Sequence, residues 1–307
     1  MPILNSEKRK LFQEQGFILL ENGIDSQLLK DLQRDFNGWV KDSINHSKPY
    51  GKMLDGRPRF DLDSGHRQER PALRRVASPT EISSICLSVV CSSYATQAVV
   101  ELIGPDVRFH HSKFNSKMPG SETVVKWHQD FTFDPCSNDD SITIIVFVDN
   151  VTETNGVIML SPGSHKGPLY SLWQDTVFTG ALNEDIVSEM EKTAVPCVGK
   201  AGDVCLMHSR VAHASKLNQT NQPRTLFIYN LIAADAIPLV PNAVPSKHAG
   251  MLVSGKEPGR IRTTSFDIEM PEVPKKMLLF SINRLKQNES RNHIILLKFT
   301  TRGNACE

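Results

Sequence analysis

The hydrophobic pattern divides the chain into a helical first third and a strand-rich middle. Two short helices around a brief apolar run are predicted at the start: Ser6 is a suitable cap for a helix that ends at Gly16, and Ser26 caps a second helix. Apolar residues at helical spacing predict a further helix over residues 79–103. Between these helices, residues 46–79 show no period, and a long aperiodic segment inside a compact domain is commonly functional or mobile.

After residue 104 the pattern changes to short strands. Apolar runs separated by turn signals rich in proline, glycine, asparagine and aspartate predict strands over residues 107–117, 142–148, 157–160, 204–208 and 225–231. The clear helical interruption is at residues 181–191. We therefore predict a mostly β fold with flanking helices, built on a double-stranded β-helix core of the jelly-roll or cupin-like type.

The domain organisation follows from the same pattern. No internal repeat and no sharp break in composition marks a second domain, so we predict a single domain over residues 1–307. Within it, residues 1–106 form a helical support with an arginine-rich loop, residues 107–235 form the jelly-roll core, and residues 236–307 form a C-terminal extension that packs on the core.

Composition and charge narrow the possible partners. Lysine plus arginine number 35 and aspartate plus glutamate 34, so a net charge of +1 offers no global field for nucleic acid or an anionic membrane. No apolar run approaches the roughly 20 residues of a membrane span, and the N-terminus shows no secretory signal, so we expect a cytoplasmic monomer or homodimer. The six cysteines, Cys306 included, show no CxxC spacing and are expected to be free thiols.

Candidate chemistry begins at the tripeptide His128-Gln129-Asp130. On a strand, residues i and i+2 point to the same face, so the imidazole and the carboxylate project into one space. A histidine from a distant strand would complete the facial triad of two histidines and one carboxylate that suits non-haem Fe(II), and both His208 and His213 are candidates.

Further motifs follow in order along the chain. They are Asn155-Gly156, the turn Ser161-Pro162-Gly163-Ser164-His165, Gly202-Asp203, His213-Ala214-Ser215, and Pro223-Arg224. Together with Trp127-His128-Gln129-Asp130, these motifs resemble the phytanoyl-CoA dioxygenase family of Fe(II)/2-oxoglutarate oxygenases, and the resemblance covers about residues 117–231.

The resemblance implies roles for individual residues. It selects His213 as the distal metal ligand, because Arg224 follows it by eleven residues, and it places Arg224 on the far carboxylate of 2-oxoglutarate with help from the Ser215 hydroxyl. Lys117 matches a position where relatives hold a lysine near the co-substrate. Thr143 is a polar residue in an apolar strand, and its hydroxyl either points inward to 2-oxoglutarate or faces outward.

The activity implied by the resemblance is oxidation with Fe(II), 2-oxoglutarate and O2. Oxidative decarboxylation yields succinate and CO2, and a hydrogen is taken from an unactivated C–H bond of a small-molecule substrate. Related halogenases replace the carboxylate ligand with a small residue, so the retained Asp130 favours hydroxylation or desaturation over halogenation. The alternatives are a catalytically silent metal- or ligand-binding protein on the same fold, and an oxygenase for an acyl-CoA or natural-product intermediate.

The substrate clue is the arginine-rich segment between His46 and Pro79, where eight basic residues stand against four acidic ones. As a lid over the barrel mouth, it would hold an anionic substrate, with Arg59 and Arg67 as the first candidates; a solvated loop with internal ion pairs is the alternative. His111 is a further candidate substrate contact. His165 is expected to lie in a structural turn, and Asp139-Asp140 in a solvated loop.

Overall fold

Strands form the middle of the chain and helices flank them in the computed structural model, which describes residues 2–121 and 123–272. The helices are α1 (Ser6–Gln15), α2 (Ser26–Ser43), α3 (Ser84–Ser92), α4 (Tyr94–Ile103) and α5 (Glu184–Thr193). The strands are β1 (Phe17–Leu20), β2 (Phe60–Leu62), β3 (Leu73–Ala77), β4 (Val107–Lys117), β5 (Val125–His128), β6 (Ser141–Phe147), β7 (Ile158–Leu160), β8 (Trp173–Gln174), β9 (Val177–Phe178), β10 (Val195–Cys197), β11 (Val204–His208), β12 (His213–Ser215), β13 (Arg224–Ala233) and β14 (Leu252–Ser254).

Two antiparallel sheets build the core. The larger has the order β1-β11-β6-β13-β4-β3-β2, with β14 also paired to β4, and the smaller has the order β10-β7-β12-β5. Apolar side chains of both sheets meet in one cluster, which includes Ile145 and Leu226 from the larger sheet and Ile158 from the smaller. The predicted mostly β, jelly-roll fold is therefore confirmed, although the two sheets do not close into a barrel.

The helices cover the other face of the larger sheet. Leu32 and Phe36 of α2 join Val89 of α3 and Val99 of α4 in a second apolar cluster against that sheet. Burial on both faces explains why β6 is apolar without alternation, since each face of that strand packs against a different layer.

The helix starts differ from the prediction by one residue. Asn5, not Ser6, caps α1 by accepting a hydrogen bond from the Lys8 amide, and Asp25, not Ser26, caps α2. Asparagine and aspartate are as good at the N-cap as serine, so adjacent candidates compete for the position. The end of α1 at Gly16 is confirmed, since Gly16 has the left-handed φ of 86° that glycine adopts without strain.

The helix predicted over residues 79–103 is broken in the structure. A short 3-10 turn at Pro79–Glu81 precedes α3, and Ser93 separates α3 from α4 with an extended ψ of 158°. The Ser93 hydroxyl caps α4 at the Thr96 amide and lies 3.1 Å from the hydroxyl of Tyr229. The prediction of one continuous helix is wrong because the Ser93 hydroxyl accepts a hydrogen bond from a backbone amide at the start of α4, and serine is favoured in this N-cap position over the interior of a helix.

The segment 46–79 is also more ordered than its pattern indicates. It contains β2 and β3, and β3 pairs with β4 so that Arg75 lies opposite Asn115. Leu73, Val76 and Ala77 of β3 are buried. The sheet edge, which is not visible in the local pattern, supplies the partner that makes this segment a strand.

The predicted C-terminal extension 236–307 is described as far as residue 272; the remainder, with Cys306, lies outside the described residues. Its described part contacts the core, since Arg262 pairs with Asp140 and Asp235 and Phe266 packs edge-on against Phe131. Within residues 2–121 and 123–272, no single helix is long and apolar enough to span a membrane, while the bent pair of α3 and α4 meets that criterion only when taken together.

Candidate active site

A cavity of about 210 Å³ lies between the two sheets. Its walls combine apolar side chains with titratable ones. The apolar part is Ile145, Ile158, Leu226 and Ile228, and the titratable part is Arg74, Arg75, Lys113, Lys117, His128, Asp130, His213 and Arg224. Such a concave site with a few convergent polar groups is the usual form of a small-molecule pocket.

His128, Asp130 and His213 converge at this cavity. One ligand atom from each lies within 4.8 Å of the other two. The Asp130 Oδ1 atom is 3.5 Å from His128 Nε2 and 3.9 Å from His213 Nε2. The antiparallel pairing of β5 with β12 produces this arrangement, because it places His213 directly opposite His128.

The geometry of His128-Gln129-Asp130 is only partly that of a strand. β5 ends at His128 and Asp130 opens a 3-10 turn, but Gln129 keeps an extended conformation with φ −112° and ψ 130°. The Gln129 side chain is buried and donates to the carbonyl of Arg210. Alternation therefore persists through Gln129, and the side chains on either side of it share one face.

Backbone carbonyls fix the orientation of both imidazoles. The Nδ1 atom of His128 is 2.8 Å from the Lys126 carbonyl, and that of His213 is 3.0 Å from the Val211 carbonyl. Because a carbonyl only accepts hydrogen bonds, each Nδ1 carries a proton, and each Nε2 is the ring nitrogen that faces Asp130 Oδ1. Two such imidazoles and one carboxylate oxygen are the donor set of a facial-triad Fe(II) site, so the residues present fit this metal.

The protonation states agree with ligation. Burial, followed by the nearby His128, lowers the pKa of His213 to about 4, so this imidazole is neutral near pH 7. Burial alone would raise the pKa of Asp130, but His213, a hydrogen bond from His128 and the Lys113 charge hold that pKa well below its ordinary value. At neutral pH Asp130 is therefore a carboxylate and His213 a neutral imidazole, the forms in which both residues bind a metal ion.

Thr143 supports the carboxylate from behind. Its hydroxyl donates a 2.8 Å hydrogen bond to Asp130 Oδ2, which leaves Oδ1 facing the two histidines. Asn230 Nδ2 lies 3.4 Å from the Thr143 hydroxyl and 3.1 Å from the Ser209 hydroxyl. Thr143 lines the cavity as an inward-facing residue, and its hydroxyl is engaged by Asp130.

A Thr143→Val variant is expected to bind Fe(II) about 10- to 100-fold more weakly, because Asp130 Oδ2 loses its donor and the carboxylate is free to rotate. Anaerobic titration with Fe(II), or with Co(II) as a spectroscopic probe, measures this change. Thr143→Ser keeps the donor and should bind like the wild type. Equal affinity of the valine and wild-type proteins would contradict the positioning role.

Arg224, Lys117 and Ser215 form the other end of the cavity. Arg224 is buried, with its Nε donating to the Gly156 carbonyl at 3.1 Å, and it lies opposite Lys117 in the pairing of β13 with β4. The Lys117 ammonium donates to the Ser215 hydroxyl at 2.8 Å and also to the carbonyl of Lys216. Gly156 makes room for this group, since a Cβ there would lie 2.7 Å from Lys117 Cδ.

The charge of Lys117 depends on pH in the neutral range. Burial, with a further contribution from Arg224, lowers the pKa of Lys117 to about 7. A lysine is positive below its pKa and neutral above it, so kcat/KM for 2-oxoglutarate is expected to fall several-fold as pH rises from 7 to 8.5. Steady-state assays across this range test the expectation. Lys117→Met should flatten the profile; an identical profile in that variant would assign the pH dependence to another group.

Arg59, Arg67 and His111 do not line the cavity. Arg59 is buried away from it and pairs with Glu81 at 2.5 Å, while Arg67 is exposed and its backbone pairs with Arg70. His111 is buried with its Nδ1 2.9 Å from that of His110. Arg59 and Arg67 therefore do not form a lid over the cavity. Arg59 is held elsewhere because its guanidinium donates to internal acceptors, the Ala77 and Ser78 carbonyls among them.

Arg59 has a structural consequence that can be measured. Its side chain is 8% exposed and that of Glu81 7%, so Arg59→Met leaves a buried carboxylate without its partner. The free energy of unfolding is expected to drop by about 3–5 kcal/mol. Urea denaturation measures it, and Arg67→Met, a matched change at an exposed arginine, should alter it by less than about 0.5 kcal/mol. Equal stability of the two variants would rule out the structural role.

Six polar residues at the cavity were not singled out from the sequence, namely Lys113, Asn115, Arg74, Arg75, Ser116 and Thr123. Lys113 and Asn115 lie on β4, on the same face as Lys117, and Arg74 and Arg75 lie on β3. Strand alternation back from Lys117 would have identified the first two. The two arginines belong to the arginine-rich segment, and both pair with Asp61.

The remaining candidates lie elsewhere. His208 is on the far side of the larger sheet, 5.5 Å between ring centroids from His165, and neither belongs to the metal-ligand cluster. His165 lies in the 3-10 turn Ser164–Lys166, as expected. Asp139 and Asp140 are not in a simple solvated loop, because they pair with Arg210 and Arg262 respectively.

Comparison with known proteins places this geometry in a family. The family model for phytanoyl-CoA dioxygenase (PhyH) matches residues 12–226. The chain is 33% identical over 272 residues to a probable alpha-ketoglutarate-dependent hypophosphite dioxygenase of Stutzerimonas stutzeri, covering 87% of this chain and 92% of that protein. It is 25% identical over 246 residues to human peroxisomal phytanoyl-CoA dioxygenase, covering 76% and 70% respectively.

Solved structures agree on the fold. EctD from S. alaskensis with bound Fe superposes with a TM-score of 0.64 at 19% identity, covering 88% of this chain and 89% of that one. The same protein with 2-oxoglutarate and 5-hydroxyectoine gives a TM-score of 0.62 at 18% identity, covering 87% and 89%. The predicted enzyme class and its dependence on iron and 2-oxoglutarate are thereby confirmed. The chain belongs to the phytanoyl-CoA dioxygenase family of Fe(II)- and 2-oxoglutarate-dependent dioxygenases.

Proposed function

We propose that this enzyme hydroxylates a small anionic substrate, with His128, Asp130 and His213 holding Fe(II) and Arg224 holding the far carboxylate of 2-oxoglutarate. The observation that carries the proposal is that the three ligands and Arg224 line one cavity. The other charged side chains that line this cavity are all basic. When bound, iron and 2-oxoglutarate supply the oxidising chemistry, in which O2, 2-oxoglutarate and R–H give R–OH, succinate and CO2.

The co-substrate end is built for a carboxylate. The Arg224 guanidinium is buried, and its Nε donates a hydrogen bond to the Gly156 carbonyl. Within the described residues its two terminal nitrogens have no hydrogen-bond partner, so they can bind a ligand. Burial lowers the pKa of Arg224 to about 10, but the group is still cationic at neutral pH. A planar, charged fork in a water-poor site binds a carboxylate in bidentate fashion, and we assign Ser215 and Lys117 to the same end.

The other residues orient the reactants and exclude water. Asp130 and Thr143 fix the direction of the ligand oxygen. Ile145, Leu226 and Ile228 form an apolar wall between the metal end and the Arg224 end. An apolar wall lowers the local dielectric constant, which strengthens each charge interaction inside the cavity and limits loss of the oxidant to solvent.

Size and charge support a compact, anionic substrate. A volume of about 210 Å³ is below the roughly 300–1,000 Å³ of pockets for drug-sized ligands. Relatives of this chain include enzymes named for hypophosphite and for 2-aminoethylphosphonate, both small oxyanions. The net charge of +1 supports our further expectation that the protein has no nucleic-acid or membrane partner. We also expect a cytoplasmic monomer or homodimer, and light scattering tests the oligomeric state.

The test is anaerobic reconstitution with Fe(II), followed by measurement of succinate formed from 2-oxoglutarate in air. The panel pairs each small anion with a neutral analogue, such as acetate with acetamide and methylphosphonate with its dimethyl ester. Stimulation of succinate formation by anions, with a hydroxylated product, is expected. Absence of turnover with and without every substrate would overturn the enzyme proposal, and preference for the neutral analogues would overturn the charge assignment.

A further inference from the structure

Two separate cationic stations lie in the cavity. Arg224 and Lys117 face each other at one end, opposite one another in the pairing of β13 with β4. Lys113 is the second station, four residues from Lys117 on the same strand face and therefore about 13 Å away along the strand. One dicarboxylate at the first station leaves the second for a different anion.

Within the described residues the Lys113 ammonium makes no hydrogen bond and no ion pair, although its charge acts on Asp130 and Asp134. Lys117 donates to Ser215, and both Arg74 and Arg75 pair with Asp61. Among the basic side chains lining the cavity in residues 2–121 and 123–272, Lys113 alone has neither a hydrogen bond nor an ion pair. An unpaired ammonium inside a partly enclosed cavity is most stable when it meets an anion.

The register places Lys113 next to the metal end. Lys113 lies opposite Ile228 of β13, and Ile228 lies opposite Ile145 of β6. The next inward pair along these strands is Asn230 with Thr143, and Thr143 is hydrogen-bonded to Asp130. Lys113 is therefore one inward step, about 7 Å along the strand, from the row that supports the metal ligand.

We propose that Lys113 binds the anionic group of the substrate, and that the substrate is a compact oxyanion whose oxidised hydrogen lies on its central atom or on the adjacent atom. This assignment rests on the proposed function. An anion held by Lys113, one step from the metal end, brings only its nearest hydrogens to the reacting position. Asn115 and Arg75 lie on the same wall of the cavity, but Asn115 is neutral and Arg75 is paired with Asp61.

The reaction is balanced for this class. O2 accepts four electrons, two from decarboxylation of 2-oxoglutarate and two from the substrate. The P–H bond of hypophosphite, or the C–H bond next to phosphorus in methylphosphonate, breaks and a P–OH or C–OH bond forms. The hydrogen returns as the hydroxyl hydrogen, and any proton released by the more acidic product goes to solvent.

Binding is the first test, because it does not depend on turnover. Calorimetric titration of the Co(II)- and 2-oxoglutarate-loaded protein uses hypophosphite and methylphosphonate as probes. Lys113→Met is expected to weaken binding of both about 10- to 100-fold, since a charge-assisted hydrogen bond is lost. Lys113→Arg should retain binding within a few-fold, and Lys30→Met, at an exposed lysine of α2, should match the wild type.

Each outcome separates this proposal from the function on which it rests. Failure of the wild type to bind either probe, or unchanged binding by Lys113→Met, overturns the Lys113 assignment whatever the succinate assay shows. Weaker binding of 2-oxoglutarate in place of the oxyanion would assign Lys113 to the co-substrate and also overturn it. In turnover, the expected change is a raised KM for the oxyanion, and a homologue whose hydrogens lie only on remote carbons should be a poor substrate.

Discussion

An Asp130→Asn variant is expected to lose at least about a thousandfold in kcat/KM, equivalent to on the order of 4 kcal/mol of transition-state stabilisation. The substitution keeps the shape of the side chain but removes the negative charge that faces both histidines at 3.5 and 3.9 Å. Fe(II) affinity should fall with it. Metal content after desalting, together with succinate formation, measures both effects.

The matched control for this variant is Asp139→Asn, a change at a carboxylate that pairs with Arg210 outside the cavity. It is expected to bind iron like the wild type. An Asp130→Asn protein that keeps its metal and its turnover would mean that the triad of His128, Asp130 and His213 is not the iron site.

Replacing Arg224 by methionine is expected to raise the KM for 2-oxoglutarate by about 30- to 1,000-fold, as expected for loss of one partner from a buried charge pair. The same change should leave the ligand-free protein as stable as the wild type or more so. Arg224 is buried with one hydrogen bond from Nε, and burial lowers its pKa to about 10, so its charge is costly until a carboxylate arrives.

Thermal melting with and without 2-oxoglutarate distinguishes these effects. The wild type should gain stability on adding the co-substrate and Arg224→Met should not, while Arg224→Lys keeps the charge without the bidentate fork and should lie between them. A methionine variant that retains both the wild-type KM and the stabilisation by 2-oxoglutarate would remove Arg224 from the co-substrate site.

The sequence predicted the parts of the site that depend on spacing within ordered motifs. His128 and Asp130 are two residues apart, and the extended Gln129 keeps them on one face. His213 and Arg224 required the family resemblance, because His208 is an equally good candidate by residue type and only the strand pairing separates the two histidines.

What the sequence could not predict is which polar group meets which partner. Arg59 stands in a basic segment, yet its partner Glu81 is 22 residues away in the chain and turns it into a buried structural residue. The inward orientation of the Thr143 hydroxyl was one of two alternatives that the sequence left open, and its acceptor is Asp130, in the turn after β5. Partners of this kind are fixed by tertiary packing, which local propensity does not encode.

Alternation along β4 places the side chains that face the cavity and a side chain that packs in the core on opposite faces of the strand. Phe114 is fully buried and stacks on Phe36 at 5.2 Å, while its neighbours Lys113 and Asn115 face the cavity. Lys113 and Asn115 can therefore change during evolution or in a designed library while Phe114 continues to pack against the helices. A new substrate preference would be reached through Lys113 and Asn115 at little risk to folding, which is a route by which one scaffold can diversify its chemistry.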